Sequence, residues 1–164
     1  MNPWKDILAV RLGEYAVVKG QGRLAALGLG SCIALMLHDA QAAVGGMAHV
    51  VLPARDSRSD ESKPAKYAVD AVPVLIAEMQ RHGATVDHMT ARLVGGACMF
   101  ATLLPKGVIH MGERNVLSCR QALKQTGIPI VGEDIGDEYG RSVVFDVAAG
   151  SVTVRSVSHG ERHV

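Results

Sequence analysis

The run Gly28-Leu29-Gly30-Ser31-Cys32-Ile33-Ala34-Leu35-Met36-Leu37, the turn Asp39-Ala40-Gln41-Ala42 and the run Val44-Gly45-Gly46-Met47-Ala48-His49-Val50 read together as an antiparallel hairpin. Residues 24–37 make one expected strand and residues 44–52 the other. A turn at Ala40-Gln41 pairs residues whose numbers sum to 81, which sets Cys32 opposite His49. Directly opposed residues have Cβ atoms about 4.5–5.5 Å apart on one face, close enough for a thiol to meet an imidazole. A slip of one residue would send the two to opposite faces.

The rest of the chain arranges itself around this hairpin. Residues 7–18 are rich in β-formers and read as a strand with a turn near Gly13-Glu14. Residues 53–64 are polar and turn-rich, hence an exposed loop placed to overhang His49. A first helix is expected from about Ser62 to Gly83, with Ala68, Val72, Leu75, Ile76 and Met79 on its apolar stripe and Pro73 set to kink or split it. Residues 89–97 read as a strand ending in Gly95-Gly96. A second helix spans 113–126, stops at Gly127 and carries Val116, Cys119 and Leu123 inward. Residues 128–135, 141–147 and 151–157 close the chain as strands. About seven strands and two helices predict an α+β domain with both helices on one side. No repeat or linker divides residues 1–164, so a single domain is expected.

Composition narrows the function classes. At 164 residues and 48% hydrophobic, the chain can bury a substantial core. Seventeen Lys and Arg against 16 Asp and Glu leave no basic excess for nucleic acid or an anionic membrane. The three cysteines have no Cys-x-x-Cys spacing, which excludes a zinc ribbon and a redox dithiol. No apolar run approaches the roughly 20 residues of a membrane helix. Met1-Asn2-Pro3-Trp4-Lys5-Asp6 lacks the pattern of a signal peptide, so a cytoplasmic protein with reduced thiols is expected.

A cysteine in an apolar strand is usually core. Cys32 stands apart because Gly30-Ser31 precede it, where bare backbone can approach a ligand and leave N–H groups open, and because His49 faces it. Cys32 shares its face with Ala34 and Met36, while Ile33, Leu35 and Leu37 take the other. His110 is the rival histidine; His38 lies too far along the strand, and His82, His88, His159 and His163 read as surface. Cys119 reads as structural, and Cys98 as packed beneath the site. Arg114 and Asn115 are either solvated or hold a polar ligand, and Glu133-Asp134 reads as a turn or an ion pair.

Taken in order, Gly13-Glu14-Tyr15-Ala16-Val17, residues 27–32, residues 45–53, Lys66-Tyr67-Ala68, Gly95-Gly96-Ala97, Gly112-Glu113-Arg114-Asn115 and Gly132-Glu133-Asp134 resemble the CheD family of chemoreceptor glutamine deamidases nearly end to end. The resemblance implies an α/β/β layered fold and a cysteine-dependent amidase that converts receptor glutamines to glutamates. Cys32 falls on the family's nucleophile and His49 on its base. Backbone N–H groups around Ser31-Cys32 are the candidate oxyanion hole, with Gly30 in support; Gly45-Gly46 leave room for receptor backbone, and neither metal nor organic cofactor is required. A CheC-like phosphatase is an implied partner.

The sequence departs from the family at one position. The third catalytic residue, usually a threonine six residues before the cysteine, is Ala26 here. Ser31 or a backbone carbonyl is left to orient the base. The alternatives are a weak or inactive module that docks on a phosphatase or receptor, a cysteine peptidase, and a scaffold with Cys32 and His49 in its core.

Overall fold

The computed structural model describes residues 6–59 and 62–164; residues 1–5, Asp60 and Glu61 lie outside it. Among the described residues, ten strands and two α-helices form three layers. The strands are β1 (Ile7–Ala9), β2 (Tyr15–Lys19), β3 (Arg23–Leu29), β4 (Ile33–Asp39), β5 (Val44–Val50), β6 (Met89–Gly95), β7 (Ile130–Ile135), β8 (Arg141–Asp146), β9 (Ser151–Ser156) and β10 (Gly160–His163). The helices are α1 (Ala68–Arg81) and α2 (Met111–Thr126).

One five-stranded sheet runs β1-β3-β8-β9-β10 and the other β2-β5-β4-β6-β7. Each is antiparallel apart from one parallel pair, β1 with β3 and β6 with β7. The second sheet is the middle layer. Ile33, Leu35 and Leu37 on one side of β4 pack with Leu75 and Met79 of α1 and Cys119 and Leu123 of α2. Ala34 and Met36 on its other side meet Leu24, Val143 and Phe145 of the first sheet. The expected α+β class and α/β/β layering hold, with both helices on one side.

Four local expectations are corrected. Residues 24–37 form two strands in different sheets, with Gly30-Ser31-Cys32 crossing between them. The hairpin pairs Ala34 with His49 and Asp39 with Val44, so its numbers sum to 83. The connection is longer than a two-residue turn because the Asp39 carboxylate accepts from the Ala42 N–H at 3.0 Å while Ala43 adopts φ 56°. The first helix starts later, after a 3₁₀ turn at Pro64–Lys66, and runs as one element through Pro73. Gly45 and Gly46 leave no room for a substrate. A Cβ on Gly45 would meet Phe145 at 2.8 Å, and one on Gly46 would meet Leu75 at 2.7 Å. Both are packing glycines in the middle layer.

The two helix ends show why the chain stops where it does. Gly127 takes φ 76° at the C-terminus of α2, a conformation glycine adopts without a Cβ penalty. His110 caps the other end, its ring nitrogen accepting from the Glu113 N–H.

Candidate active site

The crossover from β3 to β4 is where the chain passes from one sheet to the other. Three successive carbonyls anchor it. The Gly30 oxygen accepts from the Ala97 N–H at 2.8 Å, and the Cys32 oxygen from the Gly96 N–H at 2.9 Å. Between them, the Ser31 oxygen accepts from the Asn115 side-chain amide at 2.9 Å. The approach is so close that a Cβ on Gly95 would sit 2.1 Å from the Cys32 oxygen. Gly112, in the first turn of α2, presses equally hard: a Cβ there would lie 2.5 Å from the Gly96 and Ala97 oxygens. The glycine pair at the end of β6 and the glycine in the first turn of α2 therefore bring Asn115 within reach of the crossover.

The N–H groups of Ser31 and Cys32 donate to no acceptor among the described residues. Backbone donors are satisfied almost everywhere in folded proteins, so two consecutive open ones beside a thiol are a ready site for a developing oxyanion.

His49 lies on β5, 4% exposed, directly opposite Ala34. Cys32 is two residues beyond Ala34 and so is the diagonal neighbour of His49 on the same face, the one turned toward the first sheet. In a regular ladder such diagonal Cβ atoms are about 7 Å apart or less, within reach of an imidazole. The expected opposition is thus displaced by two residues, and an even displacement keeps the face. The His49 ring nitrogen Nδ1 lies 2.9 Å from the Val10 carbonyl oxygen. A carbonyl only accepts, so Nδ1 carries the proton and Nε2 presents its lone pair.

Cys32 is half-buried, and that burial pushes its thiol up from the ordinary value. In the free protein at neutral pH it is therefore a thiol. Cys119 is fully buried and pushed up to about 12 by the same cause, as its place on the apolar face of α2 implies. Cys98 is not beneath the site. It is half-buried and lines, with Ser31, Met99, Phe100 and His110, an apolar hollow of about 270 Å³ beside the crossover. His110 faces this hollow and serves as a helix cap, away from the role of base.

A model of the CheD family, described as CheD chemotactic sensory transduction, matches residues 51–156. The chain belongs to the CheD family. A relative from Thermotoga maritima, named chemoreceptor glutamine deamidase CheD, is 43% identical over 153 residues, covering 93% of this chain and 94% of that protein. Relatives from Caldanaerobacter subterraneus and Desulforamulus reducens, both named probable chemoreceptor glutamine deamidase CheD, are 38% and 39% identical. The first alignment covers 96% of this chain and 98% of that relative, the second 92% and 90%.

In this CheD chain Ala26 is fully buried on β3, among Ala34, Met36 and Val143 between the sheets. The carbonyl that meets His49 comes from Val10, just past β1, whose own N–H is held by the Ala25 oxygen at 2.7 Å. The sequence singled out Cys32, His49, Ser31 and Gly30 and left Ser31 or a backbone carbonyl beside the histidine; which carbonyl, that of Val10, has no sequence signature. Asn115 was visible only as one of two open readings. No helix among the described residues is long and apolar enough to cross a membrane.

Proposed function

We propose that this chain is a protein-glutamine deamidase of bacterial chemoreceptors, with Cys32 as nucleophile and His49 as base. The observation that carries the reading is the Val10 carbonyl on His49 Nδ1, which leaves Nε2 as a proton acceptor on the face that Cys32 occupies. A free cysteine is only a few per cent thiolate at pH 7, and burial lowers that fraction further. His49 therefore takes the thiol proton as the sulfur attacks the glutamine side-chain carbonyl. The new C–S bond pushes an electron pair onto the oxygen, which the Ser31 and Cys32 N–H groups receive. Protonated His49 gives its proton to the departing amine, so ammonia leaves and a γ-glutamyl thioester remains. Water, deprotonated by the same ring, attacks that ester, and glutamate and the free thiol are released. The scheme uses this chain's residues and water alone.

The substrate surface we assign is the apolar rim beside the crossover, where Phe100 is 69% and Leu103 77% exposed. Apolar side chains this exposed, clustered against the site hollow, suit a helical protein substrate better than a small amide. Ala26 favours a second reading, a weakly active or inactive module that docks on a receptor or a CheC-like phosphatase through the same rim.

One experiment separates the two. A chemoreceptor cytoplasmic fragment is incubated with this protein or with Cys32→Ala, and ammonia release and the glutamine-to-glutamate mass change are followed. Conversion by the unmodified protein alone is expected. Conversion by both proteins removes the thiol mechanism, and conversion by neither leaves the docking module.

A further inference from the structure

A trans peptide is planar, and its C=O and N–H point in opposite directions. Fixing the Ser31 carbonyl therefore fixes the Cys32 N–H, since the two belong to one peptide unit. The Ser31 oxygen is held by the Asn115 amide at 2.9 Å, which turns the Cys32 N–H away from α2. The neighbouring unit obeys the same rule, but there the Gly30 oxygen is held by backbone, the Ala97 N–H. Of the Ser31 and Cys32 N–H groups, only that of Cys32 is aimed by a side chain.

The second hydrogen of the same amide goes to the Val51 oxygen, also at 2.9 Å, on the continuation of the strand that carries His49. One fully buried side chain thus ties the thiol segment to the imidazole segment. Its Oδ1 is buried without a hydrogen-bond partner among the described residues. A leucine of similar size would remove that unmet Oδ1 but strand the Ser31 and Val51 carbonyls, so the position calls for a side chain with two N–H donors. Two N–H donors on one planar group are what the position uses.

We propose that Asn115 is a positioning residue that aims the Cys32 N–H at the carbonyl oxygen of the reacting glutamine. The inference rests on the thiol deamidase reading above. Losing one well-aimed oxyanion donor lowers turnover by about 10²–10³-fold in acyl-transfer enzymes. Alkylation of the same sulfur by iodoacetamide develops no oxyanion and needs no such donor.

The test compares the unmodified protein, Cys32→Ala, Asn115→Leu and Asn115→Ser in two assays: deamidation of a receptor fragment, and Cys32 alkylation by iodoacetamide as a function of pH. Both Asn115 variants are expected to lose about 100-fold in kcat per alkylatable Cys32, with KM within threefold. The alkylation rate and its pH midpoint are expected to stay within threefold and a few tenths of a pH unit. The serine variant carries the comparison if the leucine variant does not fold. A parallel fall in deamidation and alkylation, or no fall in either, overturns the proposal. Failure of both variants to fold overturns it as well, by making the amide a purely structural tie. Deamidation that survives in Cys32→Ala instead defeats the thiol reading and leaves nothing for Asn115 to position.

Discussion

His49 is oriented by the Val10 carbonyl, and the chemistry at single-residue scale follows from that contact. A threonine at position 26 would have to enter a layer where Ala26 is already fully buried. Ala26→Thr is therefore expected to lose about 1–3 kcal/mol of stability in a urea titration, the usual effect of overpacking. It is also expected to leave kcat unchanged, because the Val10 carbonyl already holds the His49 ring. A marked rise in kcat would show that the carbonyl does not replace the hydroxyl. His49→Gln is expected to lower kcat about 10²–10⁴-fold, the range for a general base, without loss of the folded state by circular dichroism. For Cys32, burial raises the thiol pKa, so the pH midpoint of iodoacetamide alkylation in the free protein is expected above that of an exposed cysteine. A midpoint below it would mean a preformed thiolate–imidazolium pair. Cys32 and His49, on which the proposed mechanism rests, stood out in the sequence because a cysteine after Gly-Ser and a histidine after paired glycines are unusual neighbours. Their orienting groups stood out less, because a carbonyl and a buried amide leave weak marks or none.

At the scale of elements, the glycines that decide the site are those at which two elements touch. Gly112 lies in the first turn of α2, where alanine ordinarily improves a helix by about 1 kcal/mol. Here an added Cβ meets two backbone oxygens at 2.5 Å, neither of which is a flexible side-chain end. Gly112→Ala is therefore expected to destabilise by about 1–3 kcal/mol at an unchanged urea m-value, and to lower turnover because α2 carries Asn115 away from Ser31. A gain in stability would show that the helix end is not pressed against the crossover. The extent of α2 was readable because periodicity and the Gly127 stop agree. The crossover was not, since residues 24–37 are apolar almost throughout and continuity of hydrophobicity hides a change of sheet. The hairpin connection has no Asn-Gly or Asp-Gly pair, so its length was open, and the register came out two residues from the simplest one. The last strand, Gly160-Glu161-Arg162-His163, was missed because an exposed polar edge strand carries no period-2 hydrophobic signal.

For the whole molecule, the question is what holds two sheets in register at the seam where the site lies. Apolar packing fills that layer, but one ionic cluster crosses it. Asp134 on β7 of the second sheet is bonded to Arg141 on β8 and to Arg162 on β10, both in the first. The cluster is at the site end of the molecule, because Arg141 pairs with Leu29 just before the crossover and Asp134 with Val94 just before Gly95. The Arg141 side chain is fully buried and the Asp134 side chain 7% exposed. Burial by itself would raise the Asp134 carboxyl, but hydrogen bonds from Arg162 and Arg141 and their charges outweigh it and hold the carboxyl below its usual range. A carboxylate whose folded pKa is depressed adds stability that is complete above its unfolded value, near 4, and is lost as pH falls toward the folded value. Removing the charge also strands the buried Arg141 guanidinium, and breaking such a pair by deleting one partner typically costs about 3–5 kcal/mol. Asp134→Asn is therefore expected to be about 3 kcal/mol less stable than the unmodified protein at pH 7 by urea denaturation. The gap is expected to narrow as pH is lowered below about 4, where the unfolded chain takes up the carboxyl proton before the folded one does. Deamidation should fall with it even where the variant remains folded, because the clamp fixes β3 against β6 where Gly30-Ser31-Cys32 passes between them. A stability gap that is the same at pH 3 and pH 7 would mean that packing alone closes the seam and that the ion cluster merely decorates it.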